Sequence, residues 1–273
     1  MTIALEFLDY DFMRRALGAA VLVGLSAPAA GIFLVQRRLA LIGDGLGHVA
    51  VTGVALGLLL DRAPVAVALI AAVAGAVTIE LIRARQEAFA EIALAMLFYG
   101  GIAGGVVLIS QAPSGGRSLN QYLFGSITTT STSDLATFAI LTVVVLTITS
   151  AMGTSLFAVS NDEEFARASG LPVLRLNISL AVLAAMTVVI SMRVVGVLLI
   201  SALMVVPVAT AQLLAGSFRG TYLVGVLIGA LVSVAGVIAS FYLDTPSGGT
   251  IVLLAIGLFA LTLIGGVVRT RLR

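Results

Sequence analysis

The sequence predicts an all-α polytopic membrane protein with about eight or nine transmembrane helices, and three observations predict it. Of 273 residues, 60% are hydrophobic and 10% are charged, against roughly 25% charged in an ordinary soluble domain. Mean hydropathy is +1.18, as for a chain whose solvent is mostly lipid. Apolar stretches of about 20 residues, the length that crosses a bilayer core, recur from end to end. This composition excludes a soluble enzyme and a nucleic-acid binder. The pI near 9.4 reflects arginines at membrane loops, which set orientation.

Nine spans are read at 13–35, 39–60, 64–82, 88–110, 134–153, 177–192, 194–215, 221–243 and 250–268. Residues 1–12 are acidic and partly apolar, an interfacial lead-in to the first span. Glu6, Asp9 and Asp11 stand where a cleavable signal would carry basic residues. The break at 111–133 is rich in Gly, Ser and Thr. The break at 158–176 holds Asp162, Glu163, Glu164, Arg167, Pro172 and Arg175. Pro207 interrupts the seventh span and should kink or break it, shaping a transport pathway as broken helices often do, or serving plain packing. The turn Asp244-Thr-Pro-Ser-Gly-Gly249 precedes the last span, with Ser247 or Thr250 as its capping residue. Most of the 29 glycines suit close helix approach in lipid. No repeat divides the chain, so residues 1–273 form a single transmembrane domain.

Arginines orient the spans. One set of loops holds Arg37, Arg38, Arg83, Arg85, Arg167, Arg175, Arg219, Arg269, Arg271 and Arg273. The other holds Arg14, Arg15, Arg62, Arg117 and Arg193. Ten against five puts the first set, and the C-terminus, in the cytoplasm. Nine spans then put the N-terminus outside, which Arg14 and Arg15 fit poorly.

All 15 basic residues are arginine, and there is neither lysine nor cysteine. Thiolate metal sites and disulfides are therefore excluded. So is a P-loop, whose lysine reaches the phosphates; if ATP drives this chain, a partner supplies the nucleotide site.

Charges inside a span are costly and point to function. Asp44 and His48, the only histidine, lie four apart in the second span and share one helix face. A carboxylate with an imidazole suits zinc, manganese or ferrous iron. Two ligands are too few for such an ion, but a homodimer with this helix at its axis doubles the set. The alternative is a hydrogen bond that merely ties two helices together. Gly43, Gly45 and Gly47 favour the functional reading by clearing space around the pair. Glu80, near Arg83, reads as a solvated interfacial carboxylate. Glu91, just inside the fourth span, reads as a helix-start carboxylate favoured by the dipole, with a place on a pathway as the alternative. The segment Asn161–Pro172 reads as a short cytoplasmic helix, capped by Asn161 or Asp162 and ended by Gly170 and Pro172. It carries Phe165 and could dock into a groove on a soluble partner, or be a plain connector.

These residues also carry a resemblance. The chain resembles the permease subunit of bacterial ABC importers for zinc, manganese and iron over about residues 12–268. Arg37-Arg38 followed by Gly43-Asp44 and His48-Val49 is similar to the family's arginine pair and Gly-Asp-x-x-x-His motif. Tyr122-Leu-Phe-Gly125, Val195 through the Pro207 segment, and Asp244-Thr-Pro-Ser-Gly-Gly249 match three more family motifs, in order. The resemblance implies the type II ABC importer permease fold and a homodimer with two ATP-binding cassette ATPase subunits. It also implies an extracytoplasmic metal-binding protein and no covalent chemistry by the chain itself. It makes Asp44 and His48 metal-coordinating, and puts Asp162, Glu163, Glu164, Phe165, Arg167 and Gly170 in the ATPase-coupling helix of the 158–176 loop. One departure is that Ala90 stands where the family often has an acid in the fourth span; Glu91 beside it is then a further candidate metal-site residue, replacing that acid with a rotation of about 100°, or the role is absent. The absence of further histidines mildly favours manganese or iron over zinc. The rival readings are a permease of the same fold for a metal chelate such as a siderophore or cobalamin, an ATP-independent secondary metal transporter, and an intramembrane metal hydrolase. The last needs about three ligands in one chain.

Overall fold

The computed structural model of the chain describes residues 8–86, 89–111, 121–126, 128 and 130–271. Residues 1–7 of the lead-in, and Arg117 and Arg273 of the orientation argument, lie outside the described residues. The helices are α1 (Asp11–Gln36), α2 (Ile42–Leu59), α3 (Pro64–Arg85), α4 (Ala90–Ser110), α5 (Thr132–Ala151), α6 (Gly153–Asn161), α7 (Glu163–Ala168), α8 (Val173–Ser191), α9 (Ile200–Leu214), α10 (Phe218–Leu243) and α11 (Ser247–Arg271). The described residues form no strand. Among the described residues, eight helices are long and apolar enough to cross a membrane, and α9 is a shorter apolar helix.

Helix boundaries follow local chemistry. Pro64 opens α3 at its first position, where its missing N–H is not needed. Ser131 and Asp134 form a capping box at the start of α5. Ser217 accepts from the backbone N–H of Gly220 to cap α10. Three helices end on left-handed residues that are not glycine: Arg38 (φ 59°) after α1, Asp61 (φ 49°) after α2 and Asp244 (φ 51°) after α10. After α1, the N–H of Leu39 reaches the carbonyl of Leu34 and that of Arg38 reaches Val35, so the last carbonyls are satisfied by a Schellman turn. Composition gives no warning of these ends, because glycine is the usual residue there.

α1 is the central helix, packed by α5, α8, α9 and α10. Its residues Ala27 to Leu34 are all buried. On the other side α2 packs against α3, α4 and α8. Close approach is achieved by glycine: a Cβ on Gly24 would stand 2.6 Å from the carbonyl oxygen of Gly229.

The seventh predicted span is divided differently from the expectation. α9 runs unbroken through Pro207, which is buried within it. The interruption lies upstream, at 192–199, around Gly196 (φ 86°). The remaining 15 residues give about 22 Å, short of the roughly 30 Å hydrocarbon core. Non-helical backbone survives in a membrane protein only where protein satisfies it. Here the N–H of Val197 donates to the Tyr122 carbonyl at 2.9 Å, and the N–H of Ser126 donates to the Arg193 carbonyl at 3.0 Å. The Ser247 hydroxyl donates to the Val194 carbonyl at 2.7 Å. Ser247 thus ties the start of α11 to this segment, and Thr250 donates to the Pro246 carbonyl.

Candidate functional site

Asp44 falls in the first turn of α2 and His48 one turn further on, both half-buried. Most of α2 is covered, but Asp44, His48, Thr52 and Leu56 are only partly so. Their four-residue spacing makes one continuous stripe along the helix. The His48 ring stands edge-on to Phe98 of α4, with centroids 4.4 Å apart. The Thr52 hydroxyl donates to the Gly101 carbonyl at 2.6 Å, which binds α2 to α4 one turn away.

The three glycines do not clear space around the pair. A Cβ on Gly43 would meet Ser201 Oγ at 2.9 Å, on Gly45 Leu94 Cδ1 at 2.8 Å, and on Gly47 Val197 Cγ1 at 3.0 Å. They lie on the buried faces of α2 and let α4, α9 and the 192–199 segment press against it. The pair itself is left on the less crowded side. Among the described residues no cluster of three or more His, Asp or Glu side chains could hold a metal. Asp44 and His48 are thus a pair without a third such side chain grouped with them among the described residues.

Glu91 sits exposed in the first turn of α4.

The 158–176 break folds into the end of α6, the two-turn α7 and the start of α8. Asp162 caps α7 by accepting from the Phe165 N–H at 2.9 Å. Gly170 (φ 80°) ends it, with the Leu171 N–H reaching the Ala166 carbonyl. Ala166 is the one buried residue of α7. Glu164 and Arg167 are exposed, and Phe165 presents 67% of its surface, an apolar knob on a polar helix.

Glu163 is the exception, because it turns inward. Its carboxylate lies 3.3 Å from Arg37, 3.5 Å from Arg83 and 3.1 Å from Arg167. Asn177 donates to it from α8 at 3.3 Å. Behind it Glu80 pairs with Arg83 at 3.3 Å and with Arg37 at 3.8 Å. Glu80 is therefore not a solvated interfacial carboxylate. Its side chain is 2% exposed and that of Arg37 4%. Burial, together with Arg83 alongside, holds the Arg37 guanidinium below its ordinary pKa, and Glu80 and Glu163 oppose the shift. A polar cavity of about 340 Å³ opens beside Glu163, lined by Glu164, Arg85 and Asn177 among others. Sequence reading missed Glu80 and Arg37 as partners. The acid at position 80 inside an apolar helix was the available signal.

Comparison with known proteins agrees with this architecture. The profile of the ABC 3 transport family matches residues 9–266. The manganese transport system membrane protein MntC of Halalkalibacterium halodurans is 30% identical over 256 residues, covering 94% of this chain and 88% of the relative. The high-affinity zinc uptake system membrane protein ZnuB of Haemophilus influenzae is 27% identical, covering 93% and 97%. The solved structure of PsaBC from Streptococcus pneumoniae in complex with a Fab superposes with a TM-score of 0.85 at 30% identity, over 95% of both chains. The family match and the eight apolar helices together describe a multi-pass permease of the bacterial inner membrane. The chain belongs to the ABC 3 transport family.

Proposed function

We propose that the chain is the membrane-spanning permease of an ATP-driven importer of a divalent transition metal ion, manganese or zinc in the first instance, with iron the third cation its ligands suit. Two copies form the translocation path. Two ATP-binding cassette ATPase subunits supply the energy, and an extracytoplasmic metal-binding protein delivers the ion. The relatives named for manganese and zinc transport support this reading.

The observation that carries it is the placement of Asp44 and His48. An ionisable residue near the end of a spanning helix costs less than the about 2.5–3.5 kcal/mol that insertion scales give at its centre, but one held on a half-buried face still points to function. α2 bears one on its less covered stripe, one turn from an imidazole. Side by side on two copies, the pairs give two carboxylates and two imidazoles. That set can hold a hard or borderline cation without closing around it, and a transport site must release what it binds. Phe165 and the exposed face of α7 provide the surface on which an ATPase subunit would dock.

The test is uptake of radiolabelled zinc, manganese and iron by cells carrying the whole operon, comparing wild type with His48→Ala and Asp44→Asn at matched membrane levels. One metal should accumulate, and both variants should lose most of that uptake while still assembling with the ATPase. Persistence of uptake in both variants would make the pair structural. Uptake that survives deletion of the ATPase gene would make the protein a secondary transporter.

A further inference from the structure

α7 is attached to the rest of the fold in an unusual way. It packs on its neighbours α6 and α8, yet it buries only Ala166. Its reach to α1 and α3 runs through charge. Glu163 touches Arg37, the residue that ends α1, and Arg83 in the last turn of α3. The end of α6 adds a neutral contact to α1, Gln36 Nε2 donating to Asn161 Oδ1 at 3.0 Å. Arg37 is in turn held from behind by Glu80. Its backbone enters the five-residue turn whose left-handed Arg38 leads into α2 and, within its first turn, to Asp44.

We infer that the Glu163–Arg37–Glu80 cluster is the element that transmits movement of α7 to the helix carrying Asp44 and His48, with Glu163 its positioning residue. This rests on the transport reading above. An apolar docking face lets a small helix slide with little directional constraint. Arg37 and Arg83, gripping one carboxylate from two other helices, do not, because the pairing is directional and its inner half is shielded from solvent, where screening is weak. Displacing α7 must therefore carry Arg37 along or break the pairs. Arg37 cannot shift without moving the α1–α2 turn, and α2 begins at Ile42, five residues after Arg37. Arg83 binds α3 into the same motion. The cluster carries three arginines against two carboxylates, so removing the charge of Glu163 leaves Arg37 and Arg83 facing each other with Glu80 alone between them.

Glu163→Gln tests this in the assembled transporter, reconstituted in proteoliposomes with its ATPase and binding protein. The amide keeps an acceptor for Asn177 and leaves the Asp162 cap intact. ATP hydrolysis and uptake of zinc, manganese and iron are measured in the same vesicles, with Arg175→Gln, an exposed charge on α8, as control. The expected result is a complex that still hydrolyses ATP but moves at least tenfold fewer ions per ATP. Hydrolysis and uptake falling in proportion would show a merely structural role and overturn the inference, as would an unchanged ratio. A second readout does not depend on the cargo. The chain has no cysteine, so Leu60→Cys at the far end of α2 takes a single environment-sensitive fluorophore. Nucleotide should change its signal in the otherwise wild-type complex and not in Glu163→Gln. A nucleotide response that persists in the variant overturns the inference even if no metal is transported, whereas failure of wild-type uptake with a charge-dependent response would overturn only the cargo.

Discussion

The ring of His48 meets the ring of Phe98 edge-to-face at 75°, with centroids 4.4 Å apart. This contact fixes where the imidazole of α2 can point, because α4 holds the other half of the pair. Such contacts are worth about 0.5–1.5 kcal/mol beyond area burial. Phe98→Leu should therefore weaken transport by about 2- to 10-fold, read as a raised KM with little change in membrane level. An unchanged KM would mean that His48 is oriented by something else.

Gly101 lies beneath the same helix crossing. A Cβ there would stand 2.6 Å from the carbonyl carbon of His48 and 2.8 Å from its oxygen, whereas a Cβ on the adjacent Gly100 would meet nothing within 4 Å. Backbone cannot step aside as a side-chain tip can. Gly101→Val should cost about 1–3 kcal/mol by overpacking and spread α2 from α4, while Gly100→Ala should be close to neutral. Thermal unfolding of the purified protein in detergent distinguishes the two.

Gly196 and Gly170 both have positive φ, at 86° and 80°, but they differ in surroundings. A side chain at Gly170 meets open space, whereas one at Gly196 runs into the Leu123 carbonyl. Gly170→Ala should cost about 1–2 kcal/mol from backbone strain alone. Gly196→Ala should cost clearly more and loosen the pairing between 121–126 and 192–199. Increased protease nicking within those two segments would report it.

The charged cluster makes a stability prediction apart from coupling. Arg37 is almost fully buried, while the Arg167 side chain is 69% exposed. Removing one partner of a buried pair costs about 3–5 kcal/mol, because a charge is left behind. An exposed pair is worth about 0–1 kcal/mol. Arg37→Met should thus lower the melting temperature strongly and Arg167→Met hardly at all. Equal shifts would show that water reaches Arg37.

Orientation is open to a direct check, since every introduced cysteine is unique. Phe165→Cys should react with a membrane-impermeant maleimide only in opened cells, and Leu60→Cys in intact ones. The reverse pattern would invert the topology derived from the arginines.

The amino-acid order alone determined much of this protein. Nine apolar stretches were visible as such, because a spanning helix is a local property of about 20 residues. Asp44 and His48 could be placed on one face by counting four residues, and α7 could be bounded to within a residue or two from Asn161 or Asp162 and from Gly170 and Pro172 by cap chemistry. The tertiary structure decided what depends on residues distant in the chain. Glu80 looked solvated because its local neighbours suggest a helix end, and it is buried because Arg37 and Glu163 arrive from elsewhere. Gly43, Gly45 and Gly47 looked like cleared space, and they are contact surfaces because α9, α4 and the 192–199 segment fill them. Pro207 looked like the break in its span. The break lies instead at Gly196, where the 121–126 segment supplies the hydrogen bonds that a lipid-facing backbone would lack. Periodicity reports which face a residue occupies. Only packing reports what meets that face, and in a bundle nearly apolar all round that partner sets the environment of every charge.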